Sequence, residues 1–318
     1  MEAILWTVFG MVVLLMLAID LFVFHREAHE IRRKEALLWS VVWVLVSLVF
    51  CGGIWLAEGR DKAAMFLTGY LIEKSLSMDN LFVILMIFSY FGIRPKYQHR
   101  VLSWGIIGAL IMRAVFIFAG LALVHALSWI IYVFGAFLIL TGFRMFFHQE
   151  EHVHPEKNIV LRLFRKGFPT TPHVHGQRFF LRRRGIASSR RLLIATPMFI
   201  TLLVIETTDL IFAVDSIPAI LAISTDAFIV FSSNIFAILG LRALYFLLAG
   251  WMTTLRFLRP GLAVILTLLG LKMTFSETIS IPVHLSLALV FGVLILAGLL
   301  SWVFPAKEGR GSDGIGAP

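Results

Sequence analysis

Glu206-Thr207-Thr208-Asp209-Leu210-Ile211-Phe212-Ala213-Val214-Asp215-Ser216 places three carboxylates in a run, roughly 192–223, that is otherwise apolar. A second run, roughly 65–91, carries Glu73-Lys74-Ser75-Leu76-Ser77-Met78-Asp79-Asn80 in the same way. Runs of about 20 apolar residues are long enough to cross a bilayer. A charged side chain near the middle of one costs about 2.5–3.5 kcal/mol on insertion scales, so an acid kept there marks a functional site by default. These two stretches decide both the class of fold and the place to look for its chemistry.

The whole chain supports the membrane reading, since 59% of its 318 residues are hydrophobic and only 15% are charged. Nine runs are expected to cross, near 4–24, 36–57, 65–91, 101–124, 128–147, 192–223, 228–250, 259–276 and 282–304. The expected fold is all-α, a polytopic membrane helix bundle. Five spans fall in 1–147 and four in 192–304, with a basic loop at 148–191 and a flexible tail at 305–318. The first run has Glu2 and no Lys or Arg ahead of it, and no small-residue cleavage site follows, so it reads as a retained span rather than a signal peptide. Cys51, the one cysteine, lies in the second run and has no partner for an internal disulfide.

A net charge of +9 would point to nucleic acid in a soluble chain, but here its distribution reports topology. Lys and Arg number four in 25–35, three in 93–100, ten in 148–191, two in 256–260 and two after 304, 21 in all. The opposite side has only Arg60 and Lys62. The positive-inside rule then sets the N-terminus outside and the C-terminus in the cytoplasm, with anionic lipid rather than nucleic acid as the basic side's neighbour.

The two acidic stretches are related. Ser77-Met78-Asp79-Asn80 resembles Ala213-Val214-Asp215-Ser216, and Glu73 precedes Asp79 by the same six residues that separate Asp209 from Asp215. Arg113-Ala114 matches Arg242-Ala243, and Gly142-Phe143-Arg144-Met145 matches Gly270-Leu271-Lys272-Met273. Acid pair, arginine and glycine–basic–methionine recur in order on three successive spans. Repeat A, about 65–147, and repeat B, about 192–276, each hold an odd number of spans, so the second enters from the opposite face. Such inverted repeats put substrate sites near the midplane at the repeat interface. Acids six apart point about 240° apart on a regular helix, so convergence on one ion calls for a bend in each run, and Pro197 and Pro218 offer places for one in the second.

The candidate ligands are Glu73, Asp79, Asn80, Glu206, Asp209 and Asp215, with Ser216 and Asn234 as supporting neutral oxygens. An oxygen-only set suits Mn²⁺, Ca²⁺ or Mg²⁺ rather than Zn²⁺ or Cu⁺. The five acids face Arg113, Arg242 and Lys74, leaving −2, or −3 if Lys74 reaches the interface. Arg113 and Arg242 are expected to orient the acids, while Arg144 and Lys272 lie near span ends and reach outward. A purely structural role is the weaker reading, because buried ion pairs stabilise poorly and five acids outnumber two arginines. His25-Arg26-Glu27-Ala28-His29-Glu30 lacks the glutamate placement of a zinc-protease helix and reads as a solvated turn. His148, His152, His154, His173 and His175 sit in the basic loop, read as flexible and polar rather than as a metal sensor. Neither a phosphate-binding loop nor a nucleophile elbow is present, so the chain is not read as an enzyme or an ATP-driven pump.

Phe66-Leu67-Thr68-Gly69-Tyr70-Leu71-Ile72-Glu73 through Asn80, Glu206 through Pro218-Ala219, and Ser233-Asn234 through Gly240-Leu241-Arg242-Ala243 closely resemble the TerC family of integral membrane proteins, its Alx-type members above all. The resemblance runs across all nine expected spans, leaving the 148–191 loop and the tail unmatched. It implies a bacterial inner-membrane protein of the lysine-exporter-like superfamily, associated by name with tellurium resistance and by activity with Mn²⁺ export and metal homeostasis. Its acidic motif positions fall on Glu73, Asp79, Asn80, Glu206, Asp209 and Asp215. The expectation is a secondary transporter exporting a hard divalent cation, Mn²⁺ first, in exchange for protons, with no resident cofactor. The alternative is a non-transporting scaffold that recruits soluble metal-stress or tellurite-resistance partners through the loop. A metal-dependent intramembrane hydrolase ranks last, because no nucleophile is specified.

Overall fold

The computed structural model describes residues 2–23, 33–147, 158–185, 188–248, 257–276 and 281–304. Five helices lead from the N-terminus: α1 (Glu2–Val23), α2 (Arg33–Glu58), α3 (Arg60–Tyr90), α4 (Pro95–Ala126) and α5 (Ile130–Phe147). A short helix α6 (Ile159–Gly167) and a hairpin, β1 (Phe180–Gly185) with β2 (Ser188–Ala195), follow. The rest is helical: α7 (Pro197–Leu221), α8 (Ala227–Leu239), α9 (Leu241–Leu248), α10 (Leu258–Thr274) and α11 (Val283–Val303). The architecture is thus all-α, with one small hairpin. Residues 25–30, His148, His152, His154 and the tail from 305 lie outside the described residues.

Among the described residues, five helices are long and apolar enough to cross a membrane: α2, α4, α5, α7 and α11. A sixth arises if α8 and α9, bent by 40° at Gly240, form one broken span. That is fewer than the nine runs of the sequence, and the shortfall has physical causes. The 31-residue α3 is long enough but has Glu73, Lys74 and Asp79 in its middle. α10 has 17 residues, and the side chains of the 22-residue α1 are described only through the apolar stretch Ala3–Ile19. Large side chains such as Leu14, Val49, Leu56, Leu140 and Trp302 point outward from the bundle, the apolar surface expected where lipid is the solvent.

No break interrupts the two acidic runs, where a bend or unwound turn is expected. Both α3 and α7 run unbroken through their acids, and Pro218 is accommodated within α7, three residues before its end. The break lies instead at Gly240 in the seventh run. There Lys74 of α3 donates to the carbonyl of Ala237 at 3.2 Å, supplying a partner where the helix turns aside. Hydroxyls along the helices are satisfied in the same local way: Thr68, Ser75, Thr201 and Thr267 each donate to the carbonyl four residues back.

Helix packing follows a pattern of exchanges: α3 lies on α8 and α4 on α7, while α3 meets α7 and α5 meets α10. The α5–α10 seam is antiparallel and made by glycines. A Cβ added at Gly270 would lie 2.7 Å from the Gly135 carbonyl oxygen, and one at Gly142 would lie 2.7 Å from the Ala263 carbonyl oxygen. Glycine is therefore required for this backbone approach. Phe9, Phe50, Phe66, Phe228 and Phe236 form an aromatic layer that fastens α1 and α2 to α3 and α8. Outside the apolar band, Lys62 bonds Glu58 at 2.7 Å and Asp226, the N-cap of α8, at 3.0 Å. Hydrogen bonding to Glu58 and then Asp226 raises the Lys62 ammonium above the usual lysine range, so the tie is complete below that range and is lost only as pH rises through the raised value.

Gly270→Ala is expected to cost about 1–3 kcal/mol through overpacking of the α5–α10 seam. Gly292→Ala on α11, where an added Cβ meets nothing within 4 Å, should leave stability unchanged or slightly raised. Thermal unfolding of the purified proteins in detergent compares the two.

Candidate functional site

The unbroken helices divide the six candidate ligands instead of gathering them. Glu73, on the buried face of α3, forms an ion pair with Arg113 of α4. Both residues are 1% exposed. Asn234 of α8 donates to the second Glu73 carboxylate oxygen at 3.0 Å, and Ser77 lies one turn on at 3.4 Å. The same guanidinium nitrogen reaches Ser216 of α7 and the Asn234 side-chain carbonyl, each at 3.2 Å. Four helices therefore converge on one pair whose charges cancel. Removing one partner of such a pair strands the other charge in a medium that cannot solvate it.

Asp79, six residues further along α3, faces elsewhere. With Asp215 it lines a cavity of about 430 Å³, together with Asn80, Ser216, Arg144, Arg259 and the Arg113 already paired with Glu73. Side chains of Ile211, Phe212 and Leu266 form apolar wall. Arg259, in the first turn of α10, approaches Asp79 at 3.6 Å. That is longer than the roughly 2.7–2.9 Å of a charge-assisted hydrogen bond, so the contact is loose. The surplus of negative charge expected from the sequence is not local to this cavity: Arg113 is balanced by Glu73, and the two aspartates meet two further arginines.

Glu206 and Asp209, one turn apart on α7, form a third group. Asn80 donates to one Asp209 oxygen at 3.5 Å, and the other oxygen is buried without a hydrogen-bond partner. The Glu206 carboxylate rests directly on Gly108 of α4, in space that a Cβ there would occupy. Arg242, buried on α9, donates to Ser103 of α4 at 3.0 Å. Lys272 does not reach outward but donates to Ser286 at 3.0 Å. Among the described residues, no three His, Cys, Asp or Glu side chains come close enough to hold a metal ion by themselves. Asp79 and Asp215 can serve a hard cation only with neutral oxygens, those of Asn80 and Ser216, and with water retained on the ion.

Sequence reasoning missed Arg259 and the place of Arg144 at the wall of the cavity, where its side chain stays exposed. Arg259 sits beside Pro260 in a short basic stretch that reads as loop charge. Arg144 carried a usable signal, its place in the repeated glycine–basic–methionine element.

A helical bundle of apolar exterior, enclosing paired charges and a carboxylate-lined cavity, defines the class: an integral membrane protein with a polar site between its helices. Residues 58–309 match the integral membrane protein TerC family, and the chain belongs to it. It is similar to an uncharacterized membrane protein of Myxococcus xanthus, 48% identical over 93% of this chain and 92% of the relative. It is also 46% identical to a protein of Escherichia coli (strain K12) named as a candidate membrane-bound redox modulator, Alx, over 94% of each chain. An uncharacterized membrane protein of Rickettsia bellii is 40% identical over 92% of this chain and 94% of its own. No solved structure matches the chain.

Glu73→Gln and Arg113→Met are each expected to destabilise the protein by about 3–5 kcal/mol, whereas the double variant should recover much of that loss. Thermal unfolding in detergent of all four proteins reads out the cycle.

Proposed function

We propose that this protein is a secondary transporter that exports a hard divalent cation, with Mn²⁺ the first candidate, across a bacterial inner membrane. The observation that carries the reading is the cavity itself, where Asp79 and Asp215 come from corresponding positions on α3 and α7. Two carboxylates with amide and hydroxyl oxygens suit Mn²⁺, Mg²⁺ or Ca²⁺, and the volume leaves room for an ion that keeps part of its water. Glu206 and Asp209 lie on the same helix and would stage the ion or carry a coupled proton.

The nine-span, inverted-repeat reading belongs to this proposal. Support comes from the exchange pattern, in which α3 on α8 corresponds to α7 on α4. The α5–α10 seam adds to it, because pairing Gly135 with Gly270 and Ala263 with Gly142 is invariant under exchange of the repeats. That pairing is antiparallel, as a two-fold axis in the membrane plane requires. The basic side would face the cytoplasm.

An internal dithiol is closed to this chain as a redox device, since Cys51 is its one cysteine. Control of a redox-active cation would give a membrane protein influence over redox chemistry without one. The scaffold reading gains from the fold of α6 and the hairpin, which present an ordered surface. Substituting the exposed Arg162, Arg165, Lys166 and Arg182, which leaves the packing on α7 in place, separates the two: a transporter keeps its flux, whereas a scaffold loses all function.

Mn²⁺ flux into proteoliposomes should be lost in Asp79→Asn and in Asp215→Asn while both proteins insert and elute as the wild type does. Normal flux in both variants overturns the ligand assignment. Arg259→Gln removes a tethered cation from Asp79, so it should tighten Mn²⁺ binding several-fold, by roughly the 0.5–1 kcal/mol typical of a partly exposed pair. Equilibrium binding to the purified variant measures it.

A further inference from the structure

The 148–191 loop, where it is described, is a folded unit built on α7. Asn158 caps α6 by accepting from the Leu161 backbone N–H at 3.1 Å, and its side-chain amide donates to Thr207 of α7 at 2.8 Å. Leu161 is buried, and Phe164 packs on Phe199 with ring centroids 5.4 Å apart. Phe168 and Phe180 extend the same aromatic cluster, and Thr196 fixes the hairpin's base by donating to the Arg178 carbonyl at 2.6 Å. Thr207 lies ten residues into α7 and Phe199 two residues in, so α6 runs beside the first half of a membrane-crossing helix.

With that face committed to the protein, the rest of α6 divides cleanly. At about 100° per residue, Leu161 and Phe164 point inward, while Ile159, Val160 and Leu163 share a neighbouring arc of about 100°. Ile159 is 74% exposed and Leu163 70% exposed. Arg162, Arg165 and Lys166 occupy the remaining arc and are exposed as well. The outer face of α6 is therefore amphipathic, an apolar stripe beside a basic one. A helix that descends beside α7 through a bilayer boundary suits that face: its apolar stripe meets acyl chains and its basic stripe, toward the start of α7, meets lipid phosphates.

We propose that α6 is a boundary helix, running alongside the first half of α7, whose outer face contacts the anionic bilayer leaflet. Ile159, Val160 and Leu163 enter the acyl boundary, and Arg162, Arg165 and Lys166 bind lipid headgroups. A bilayer is necessarily at hand, because α6 is bolted to a helix that crosses it. Charge complementarity selects its anionic component. The proposal does not depend on what the cavity carries.

The test places an environment-sensitive fluorophore on Leu163→Cys in a Cys51→Ala background, using the full chain in nanodiscs. One set is phosphatidylcholine alone, and the other contains phosphatidylglycerol. In the anionic discs the probe should emit to the blue, resist aqueous iodide and be quenched by lipids with a doxyl group near the headgroup. Replacing Arg162, Arg165 and Lys166 by Gln should return it toward the phosphatidylcholine result, with the partition ratio falling roughly fivefold per cation removed. A probe open to iodide in both lipids overturns the proposal and leaves the apolar stripe to a soluble partner. Equal lipid quenching in both compositions also overturns it, because the anionic headgroup would then play no part. Ile159→Cys provides the same readout should the first variant fail to fold.

Discussion

The Glu73–Arg113 pair is the interaction on which the arrangement of the bundle rests. Each charge alone would be very costly in this environment, and together they are neutral. Their hydrogen-bond partners come from α7 and α8, so satisfying the pair fixes four helices against one another. Packing in lipid lacks the hydrophobic drive available in water and relies on close van der Waals contact and interhelical polar bonds. Both appear here in separate places: the ion pair binds the middle of α3, and the glycine seam joins α5 to α10.

With that pair neutralised, the chemistry available to a ligand is confined to what remains. Asp79 and Asp215 line a cavity that also presents Arg144, Arg259 and the Glu73-paired Arg113. A cation entering it must compete with guanidinium groups already present, and the loose Asp79–Arg259 contact is the first to give way. For the transport proposed above, that competition would lower the affinity and favour release.

Much of this was legible in the residues. Acids within apolar runs are conspicuous because each one opposes the composition around it, and the repeated order of acid, arginine and glycine needed no structure to be seen. The paths of α3 and α7 were not legible. Six-residue spacing predicts divergent carboxylates on a straight helix, and the structure has that divergence, whereas bends had been expected to remove it. A proline inside a run reads as a break, yet Pro218 stands close to the end of α7, while Gly240 turns the chain with a lysine from another helix as its support. In the loop, charge outweighs hydrophobic content, so its sequence reads as flexible. The signal for α6 was present in the spacing of Leu161 and Phe164 behind Asn158, and it was masked by the surrounding arginines.

The charged middle of α3 also bears on biogenesis. When α3 leaves the ribosome, Arg113 is 40 residues behind Glu73 in the chain and Asn234 is 161 residues behind. If α3 crosses, as the nine-span proposal has it, an isolated α3 would stand in the bilayer with Glu73, Lys74 and Asp79 unpaired, the state that insertion disfavours most. Its first relief comes from α4, so the two helices are suited to enter as a hairpin. Lys74 finds the Ala237 carbonyl only after α8 has been made. Membrane integration of the first half thus remains provisional until the second half is synthesised, and a truncated chain ending after α5 would present the cell's quality control with an unfinished polar seam.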